Sequence, residues 1–193
     1  MGTLTFARRS IAGDSQLPAG RERPSDMRIH HIAAVLGVLA AGLTVPASAA
    51  TAAAVAPCTN AELRASYHAT DAGMSHQFGR IVLRNVSDHA CRTGGYGGLS
   101  YVGGGDGTQI GAAADRVPGR VRSIVVHPGE KVVSAVSETD ATVYPRRECR
   151  RAHVDGFRVY LPNETASQFV AHPTTGCRNE RVHLLSHKAY RRA

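Results

Sequence analysis

Hydrophobic and polar residues alternate in short runs along most of the chain after residue 57. In residues 79–85, the odd-numbered positions from Ile81 to Asn85 fall on one side of an extended segment, while Arg80 and Arg84 fall on the other. A period of two residues is typical of a β-strand that buries one face. This segment therefore predicts a strand with its odd-numbered side chains in the core.

Similar runs occur elsewhere, and turn-forming residues separate them. Further strands are predicted in residues 63–67, 99–101, 123–126, 131–137, 157–161 and 182–184, with longer loops at 103–122 and 138–152. Asn85, Ser87 and Asp88 favour a turn after the second strand, and Pro128-Gly129 suits a type II turn. Strands with one buried face need a second sheet to cover it. We therefore predict an all-β fold, a two-sheet antiparallel β-sandwich of the immunoglobulin-like kind.

A glycine-rich run, Gly94-Gly95-Tyr96-Gly97-Gly98, lies shortly after Cys91. Glycine permits positive φ angles and close approach of backbone segments, here on both sides of one aromatic ring. We therefore predict a tight corner with the Tyr96 ring packed into it.

The N-terminal part has the pattern of an export signal. Arg28 precedes an apolar run over residues 32–43, and Ala47-Ser48-Ala49 forms a small-x-small cleavage site. The run is shorter than the ~20 residues that span a bilayer, so cleavage is favoured over a membrane anchor, with a short core helix as the alternative. The predicted parts are an upstream extension (1–26) before a true start at Met27, a signal peptide (27–49), a linker (50–56), a β-sandwich domain (57–186) and a frayed basic tail (187–193).

All four cysteines, Cys58, Cys91, Cys149 and Cys177, follow the predicted cleavage site. An even number in an exported chain indicates two disulfides, and three pairings are possible. A zinc site is the rival interpretation, but no Cys-x-x-Cys pair supports it. We therefore predict a secreted, extracellular domain with two crosslinks.

Several short motifs occur in a recognisable order. They are Pro57-Cys58-Thr59, Glu62-Leu63, Leu83 to Ser87, Cys91, Gly95-Tyr96-Gly97-Gly98-Leu99-Ser100, His127-Pro128-Gly129 and Phe157 to Pro162. Together they resemble the actinobacterial secreted family filed as domain of unknown function 4232, over residues 57–186, with Gly97 where that family usually carries proline. The resemblance implies no activity and no site. Among the possible pairings we favour Cys58–Cys91 and Cys149–Cys177, because each would fasten the end of a segment to a neighbouring element, as the resemblance also suggests.

The chain is basic, with a formal net charge of +8 at pH 7. Its basic residues are dispersed without interleaved aromatic residues, and no recognition helix is predicted, so we expect no nucleic-acid partner. An anionic cell-wall polymer or an extracellular protein is the better partner, and a merely solvated basic surface is the alternative. We expect a monomer with no membrane anchor after signal cleavage.

The densest positive charge surrounds Cys149. Arg146, Arg147, Arg150 and Arg151 would be held in place by a disulfide at this cysteine. Guanidinium groups bind phosphate and carboxylate groups through paired hydrogen bonds. These four arginines are the predicted partner-binding residues, and the alternative is a loop that its charge only keeps soluble.

Residue types that support catalysis or metal binding are dispersed. The chain has no Gly-x-Ser-x-Gly elbow and no carboxylate pair in a catalytic context. His183 and His187 have the spacing of a zinc pair on a helix, but Val182 to Leu184 fits a strand. We therefore predict no enzymatic activity, no cofactor and no metal site. The alternative is an adventitious or transport metal site formed by some of the histidines.

These features favour a secreted, non-catalytic extracellular or cell-envelope protein that binds an anionic wall component or a protein partner. The alternative is a secreted protease inhibitor. Its disulfide-held loop, residues 142–151, would enter an active-site cleft with little ordering cost.

The first prediction concerns processing. The exported protein should begin at or within a few residues of Ala50, because Ala47 and Ala49 present the small side chains that a signal peptidase admits. N-terminal sequencing of protein from culture supernatant checks this. Retention of residues 27–49 would contradict it.

Overall fold

The predicted alternation of residues 79–85 is present in the structure, a computed structural model that describes residues 53–193. The odd-numbered residues of this segment are buried, whereas Arg80 and Arg84 are exposed. The extension and the signal peptide predicted for residues 1–49 lie outside the described residues.

Most of the described chain is extended. The strands are β1 (Leu63–Gly73), β2 (His76–Asn85), β3 (Cys91–Thr93), β4 (Gly98–Gly103), β5 (Thr108–Ile110), β6 (Asp115–Arg116), β7 (Ile124–Val126), β8 (Lys131–Thr139), β9 (Arg151–Tyr160), β10 (Ser167–Cys177), β11 (Leu185–His187) and β12 (Arg191–Arg192). A 3₁₀ turn (Ala141–Val143) and a single-turn helix α1 (Arg146–Cys149) lie between β8 and β9. Within residues 53–193, no helix is long and apolar enough to cross a membrane.

The strands form two main sheets and one separate pair. The first sheet has the order β1-β2-β8-β11-β6, with β12 also paired to β8. The second sheet has the order β10-β9-β4-β5, and β3 pairs with β7. The pairings between these strands are antiparallel, except that β6 runs parallel to β11. The prediction of an all-β, two-sheet sandwich is confirmed.

Side chains from both sheets meet in one core. Leu83 and Val132 of the first sheet and Phe157 and Val159 of the second are each at most 1% exposed and belong to one cluster. Burying a side chain of this size stabilises the fold by about 1.5–3 kcal/mol. The core is therefore the layer between the two sheets.

The side chain of Gln168 hydrogen-bonds to the backbone of the edge strand β1, as a neighbouring strand would. Its Oε1 accepts the N–H of Ala65 at 2.9 Å, and its Nε2 donates to the carbonyl of Leu63 at 2.5 Å. Because Gln168 lies in β10, this amide joins the edge strands of the two sheets. It also satisfies backbone groups that an exposed edge would offer to another chain.

The end of β2 is fixed by a buried side chain. Asn85 is 1% exposed, donates to the carbonyls of His89 at 2.8 Å and Val126 at 2.9 Å, and accepts the backbone N–H of Ser87 at 2.9 Å. This geometry confirms that Asn85 ends the strand and begins a turn.

The turn between β7 and β8 also has the predicted form. Gly129 has a φ of 79°, and the N–H of Glu130 donates to the carbonyl of His127 at 3.0 Å. A positive φ at the third residue is what a type II turn requires.

Both disulfides have the favoured pairing. Cys58 is bonded to Cys91, and Cys149 is bonded to Cys177. The first joins the segment before β1 to β3, and the second joins the end of α1 to the end of β10.

The structure corrects several boundaries. Val182 and Leu184 are buried but belong to an irregular segment, so their alternation reflects two core anchors and the strand begins only at Leu185. The loop predicted at 103–122 contains β5 and β6, and the loop predicted at 138–152 begins inside β8 and contains the two helical turns.

The C-terminal tail is ordered, so the prediction that it is frayed is wrong. Tyr190 is only 4% exposed, and Arg191 and Arg192 pair with Val133 and Val132 of β8. One aromatic anchor and a backbone pairing therefore hold a segment whose composition is mainly polar.

The second prediction concerns the disulfides. Non-reducing peptide mapping should recover Cys58 linked to Cys91 and Cys149 linked to Cys177. The sequence separations are 33 and 28 residues, and closing loops of this size stabilises the fold by about 3–4 kcal/mol each. Reduction should lower the denaturant midpoint accordingly. Free thiols in the native protein, or another pairing, would contradict the framework.

Candidate functional site

The glycine-rich corner brings two distant segments together. Gly94 has a φ of 145°, and a Cβ at this position would overlap the carbonyl oxygen of Arg122. Gly95 has a φ of 87° and forms a bridge with Tyr190, whose N–H donates to the Gly95 carbonyl at 2.8 Å. The corner therefore holds the segment before β7 on one side and the C-terminal segment on the other.

Tyr96 fills this corner, as predicted. Its hydroxyl donates to the carbonyl of Val117 at 2.6 Å, and its ring meets His187 edge-on with centroids 5.7 Å apart. The guanidinium of Arg116 lies over the same ring, 5.7 Å from its centroid. At Gly97, a Cβ would overlap the carbonyl oxygen of Tyr160, so this chain packs the corner more closely than a side chain there would allow.

The two segments held by the corner enclose a surface groove with a volume of about 550 Å³. We call it the arginine groove, and its lining residues are Arg120, Arg122, Ser123, Ile124, Tyr190, Arg191 and Arg192. Ile124 and Tyr190 are buried and form the apolar part of the wall. Burial raises the pKa of Tyr190, so its hydroxyl stays neutral.

Four arginine residues line the groove and give it its charge. Arg192 has a partner, because its Nη1 lies 3.4 Å from Oε2 of Glu130 and its Nη2 donates to the carbonyl of Val125 at 3.1 Å. Arg120, Arg122 and Arg191 have no carboxylate within salt-bridge distance in residues 53–193. The groove therefore carries an excess of positive charge.

The chemistry of this arrangement is anion binding. A guanidinium presents several N–H donors in one plane and matches the oxygens of phosphate or carboxylate. Several such groups around one concave surface favour a ligand with more than one negative oxygen. The groove contains no carboxylate that would act as an acid or base.

These groove residues were not predicted as a site from the sequence. Arg120 and Arg122 fell in a predicted loop, and Arg191 and Arg192 fell in a predicted free tail. The two pairs are about 70 residues apart in the chain. The contacts at Gly94 and Gly95, the pairing of β12 with β8 and the hydrogen bond from Arg192 to Val125 bring them together. In the sequence, the only indication of this site was that Arg120 lies close to Arg122 and Arg191 is adjacent to Arg192.

The four arginines predicted to bind a partner have different roles in the structure. Arg146, Arg147 and Arg150 are exposed. Arg151 is partly buried and donates to three backbone carbonyls, those of Ala141 at 3.2 Å, Thr142 at 3.1 Å and Tyr144 at 3.1 Å. Arg151 therefore fastens the preceding turn, and partner binding by the other three stays a prediction.

A second polar cluster lies in the core, around Glu138. This carboxylate is 3% exposed and accepts hydrogen bonds from the hydroxyls of Tyr67 at 2.7 Å and Tyr101 at 2.5 Å, and from His172 Nε2 at 3.0 Å. Burial alone would raise the pKa of Glu138, but the hydrogen bonds from His172, Tyr101 and Tyr67 outweigh burial and hold it below the usual 4.5. Burial and this carboxylate raise the pKa of both tyrosines, so both remain donors.

The aromatic rings around Glu138 also stack on one another. Phe157 stacks on His172 with centroids 4.7 Å apart and on Tyr101 at 5.4 Å. A cavity of about 260 Å³ is lined by Glu138 and Tyr101 of the cluster and, among other residues, by four threonines. Since both oxygens of Glu138 already accept hydrogen bonds from within the fold, we interpret the cluster as a stabilising network.

The histidines are spread over the described structure. They are His68, His76, His89, His127, His153, His172, His183 and His187. His183 is exposed and pairs with Asp115 at 2.9 Å. His187 is only 4% exposed, and its pKa is lowered mainly by burial and secondly by the positive charge of Arg116. Within residues 53–193, no three His, Cys, Asp or Glu side chains gather in a way that could hold a metal ion.

Comparison with known proteins identifies one family. The model of the family described as "Domain of unknown function (DUF4232)" matches residues 58–187. No curated protein and no solved structure matches the chain.

The third prediction tests the buried network. Glu138→Gln should lower the free energy of unfolding at neutral pH by about 3 kcal/mol, because an amide cannot accept from both tyrosines and would direct a donor at one of them. Urea denaturation measures this, with Glu148→Gln as the control because Glu148 is exposed.

The pH dependence gives a second measurement. The pKa of Glu138 is lower in the folded than in the unfolded protein, so its stabilisation is present above the usual pKa of 4.5 and is lost as the pH falls through the folded value. The difference between wild type and Glu138→Gln should therefore shrink at acidic pH. A variant as stable as wild type at neutral pH would contradict the role given to Glu138.

Proposed function

Since the chain belongs to the family described as domain of unknown function DUF4232, whose description names no activity, we propose a function from its own geometry. The protein is a secreted, non-catalytic module of the actinobacterial cell envelope. It binds an anionic wall polymer through the arginine groove. The observation that carries this proposal is that four arginine residues line one concave surface.

The charge balance of the groove supports an anionic ligand. Glu130 neutralises part of the charge of Arg192, while Arg120, Arg122 and Arg191 have no such partner among the described residues. Grouping like charges costs Coulomb energy that an anion would recover. Hydrogen bonds between a guanidinium and an anionic oxygen are about twice as strong as neutral ones.

The position of the groove supports recognition by a preformed surface. Two of its arginines lie in the segment before β7 and the other two form β12, and both segments are anchored at the glycine corner. A ligand therefore does not need to order a loose tail before it binds, which lowers the entropic cost of association.

Other features support the remaining parts of the proposal. Two disulfides fit an extracellular protein, since they persist in oxidising compartments. A non-catalytic role fits the buried network, in which the tyrosines and His172 are bonded to Glu138.

A protease inhibitor is the second candidate. The observation that favours it is the rigidity of residues 142–151, which Arg151 and the Cys149–Cys177 disulfide hold in place. Part of this segment is the helical turn α1, however, so its extended backbone is short. An inhibitor would titrate one protease at a ratio of one to one, independently of wall material.

The fourth prediction separates the groove from the loop. The triple variant Arg120→Ser, Arg122→Ser and Arg191→Ser should lose affinity for purified wall material by about tenfold or more at low salt, because each lost contact contributes on the order of 1 kcal/mol. Cosedimentation across a salt series measures this, since charges further apart than about 8 Å are screened at physiological ionic strength.

The matched control removes the same charge elsewhere. Arg146→Ser, Arg147→Ser and Arg150→Ser should leave retention at physiological ionic strength within about twofold of wild type, because charges more than about 8 Å from the bound polymer are then largely screened. If this control lost retention and the groove variant did not, the polymer would bind at the predicted loop around Cys149 and not in the groove. No retention of the wild type would show that the polymer proposal is wrong.

A further inference from the structure

A row of three cations crosses the outer face of the first sheet. Arg64 of β1 lies directly opposite Arg84 of β2, and Arg84 lies directly opposite Lys131 of β8. All three residues are exposed. Because neighbouring strands are about 4.8 Å apart, the row is about 10 Å wide. We call these residues the cation row.

The cation row is electrostatically unfavourable in the isolated protein. Like charges directly opposite one another destabilise a sheet. Within residues 53–193, no carboxylate lies within salt-bridge distance of Arg64, Arg84 or Lys131. An anion lying across the row would replace this repulsion with attraction.

Strand β12 links the cation row to the arginine groove. Arg191 lies opposite Val133 of β8, and Val133 is on the same face as Lys131 because the two are separated by one residue. Arg191 also lines the groove. Positively charged residues therefore continue from the edge strand β1, past Lys131, to the groove.

We propose that the cation row and the arginine groove form one extended surface that binds a linear phosphate polymer lengthwise. This inference rests on the proposed function and specifies its ligand class. A small anion can occupy the groove alone, but it cannot also reach Arg64 and Arg84. A chain with a phosphate in every repeat places charges along the whole path, and both guanidinium and ammonium groups bind phosphate oxygens. The length of the ligand, in addition to its charge, therefore determines affinity.

The experiment compares pyrophosphate with long-chain inorganic polyphosphate by isothermal titration calorimetry. The wild type should bind the long chain about tenfold or more tightly than pyrophosphate when affinity is expressed per phosphate, because linked contacts act at high effective concentration. The double variant Arg64→Gln and Arg84→Gln should lose this advantage while its affinity for pyrophosphate is unchanged. The slope of log affinity against log salt for the long chain should fall by about 1.5.

The matched control is Arg178→Gln and Arg181→Gln, which removes the same charge from exposed positions outside both surfaces and should preserve the advantage of the long chain. The row variant should also melt at a higher temperature than wild type in low salt, because it lacks the cross-strand repulsion. The inference would be wrong if the row variant lost affinity equally for both ligands, or if it still bound the long chain more tightly per phosphate. Either result would leave the proposed function of the groove unaffected. Failure of the wild type to bind either phosphate would instead contradict the proposed function.

Discussion

The close approach of backbone at Gly94 and Gly95 is the constraint on which the candidate site depends. Gly94 packs against the carbonyl of Arg122, and Gly95 pairs with Tyr190. A Cβ at Gly94 would overlap that carbonyl oxygen, so a side chain there would require the backbone to move. Because the two contacts are made by adjacent residues, they fix two segments from distant parts of the chain beside each other. The arginine groove is the surface between these segments.

The charged group in the core has hydrogen-bond partners within the fold, whereas many of the cations on the surface have no carboxylate partner in the part of the chain that the structure describes. In the core, Glu138 is surrounded by three donors that hold its pKa low, so its charge is satisfied within the fold. On the surface, the cation row and most of the groove have no carboxylate partner in residues 53–193. The buried carboxylate of Glu138 is thus fully hydrogen-bonded within the fold, whereas these surface cations have no carboxylate partner among the described residues. The unpaired surface cations are therefore the stronger indication of a ligand.

Much of the fold could be predicted from local patterns. The alternation around Ile81, the turn at Gly129 and the burial of Asn85 each depend on residues close in sequence, and all three agree with the structure. The disulfide pairing was favoured among three because each bridge would fasten the end of a segment to a neighbouring element, as the family resemblance also suggested, and the structure confirms it. The tail was predicted wrongly because its two buried residues, His187 and Tyr190, are three positions apart and give no alternating pattern. The groove could not be predicted because its arginines meet only through tertiary contacts. The cation row needed strand registers, which alternation alone does not determine.

The central claim is that the C-terminal arginines are held by the glycine corner as part of the folded domain. Amide hydrogen exchange at Tyr190 tests this most directly, because its N–H donates to the carbonyl of Gly95 at 2.8 Å. Protection of this amide comparable to that of the core strand β8 is the predicted result, since both would then open only with the domain. Exchange at the rate of an unstructured chain would show that the tail is free and that the arginine groove does not exist in solution.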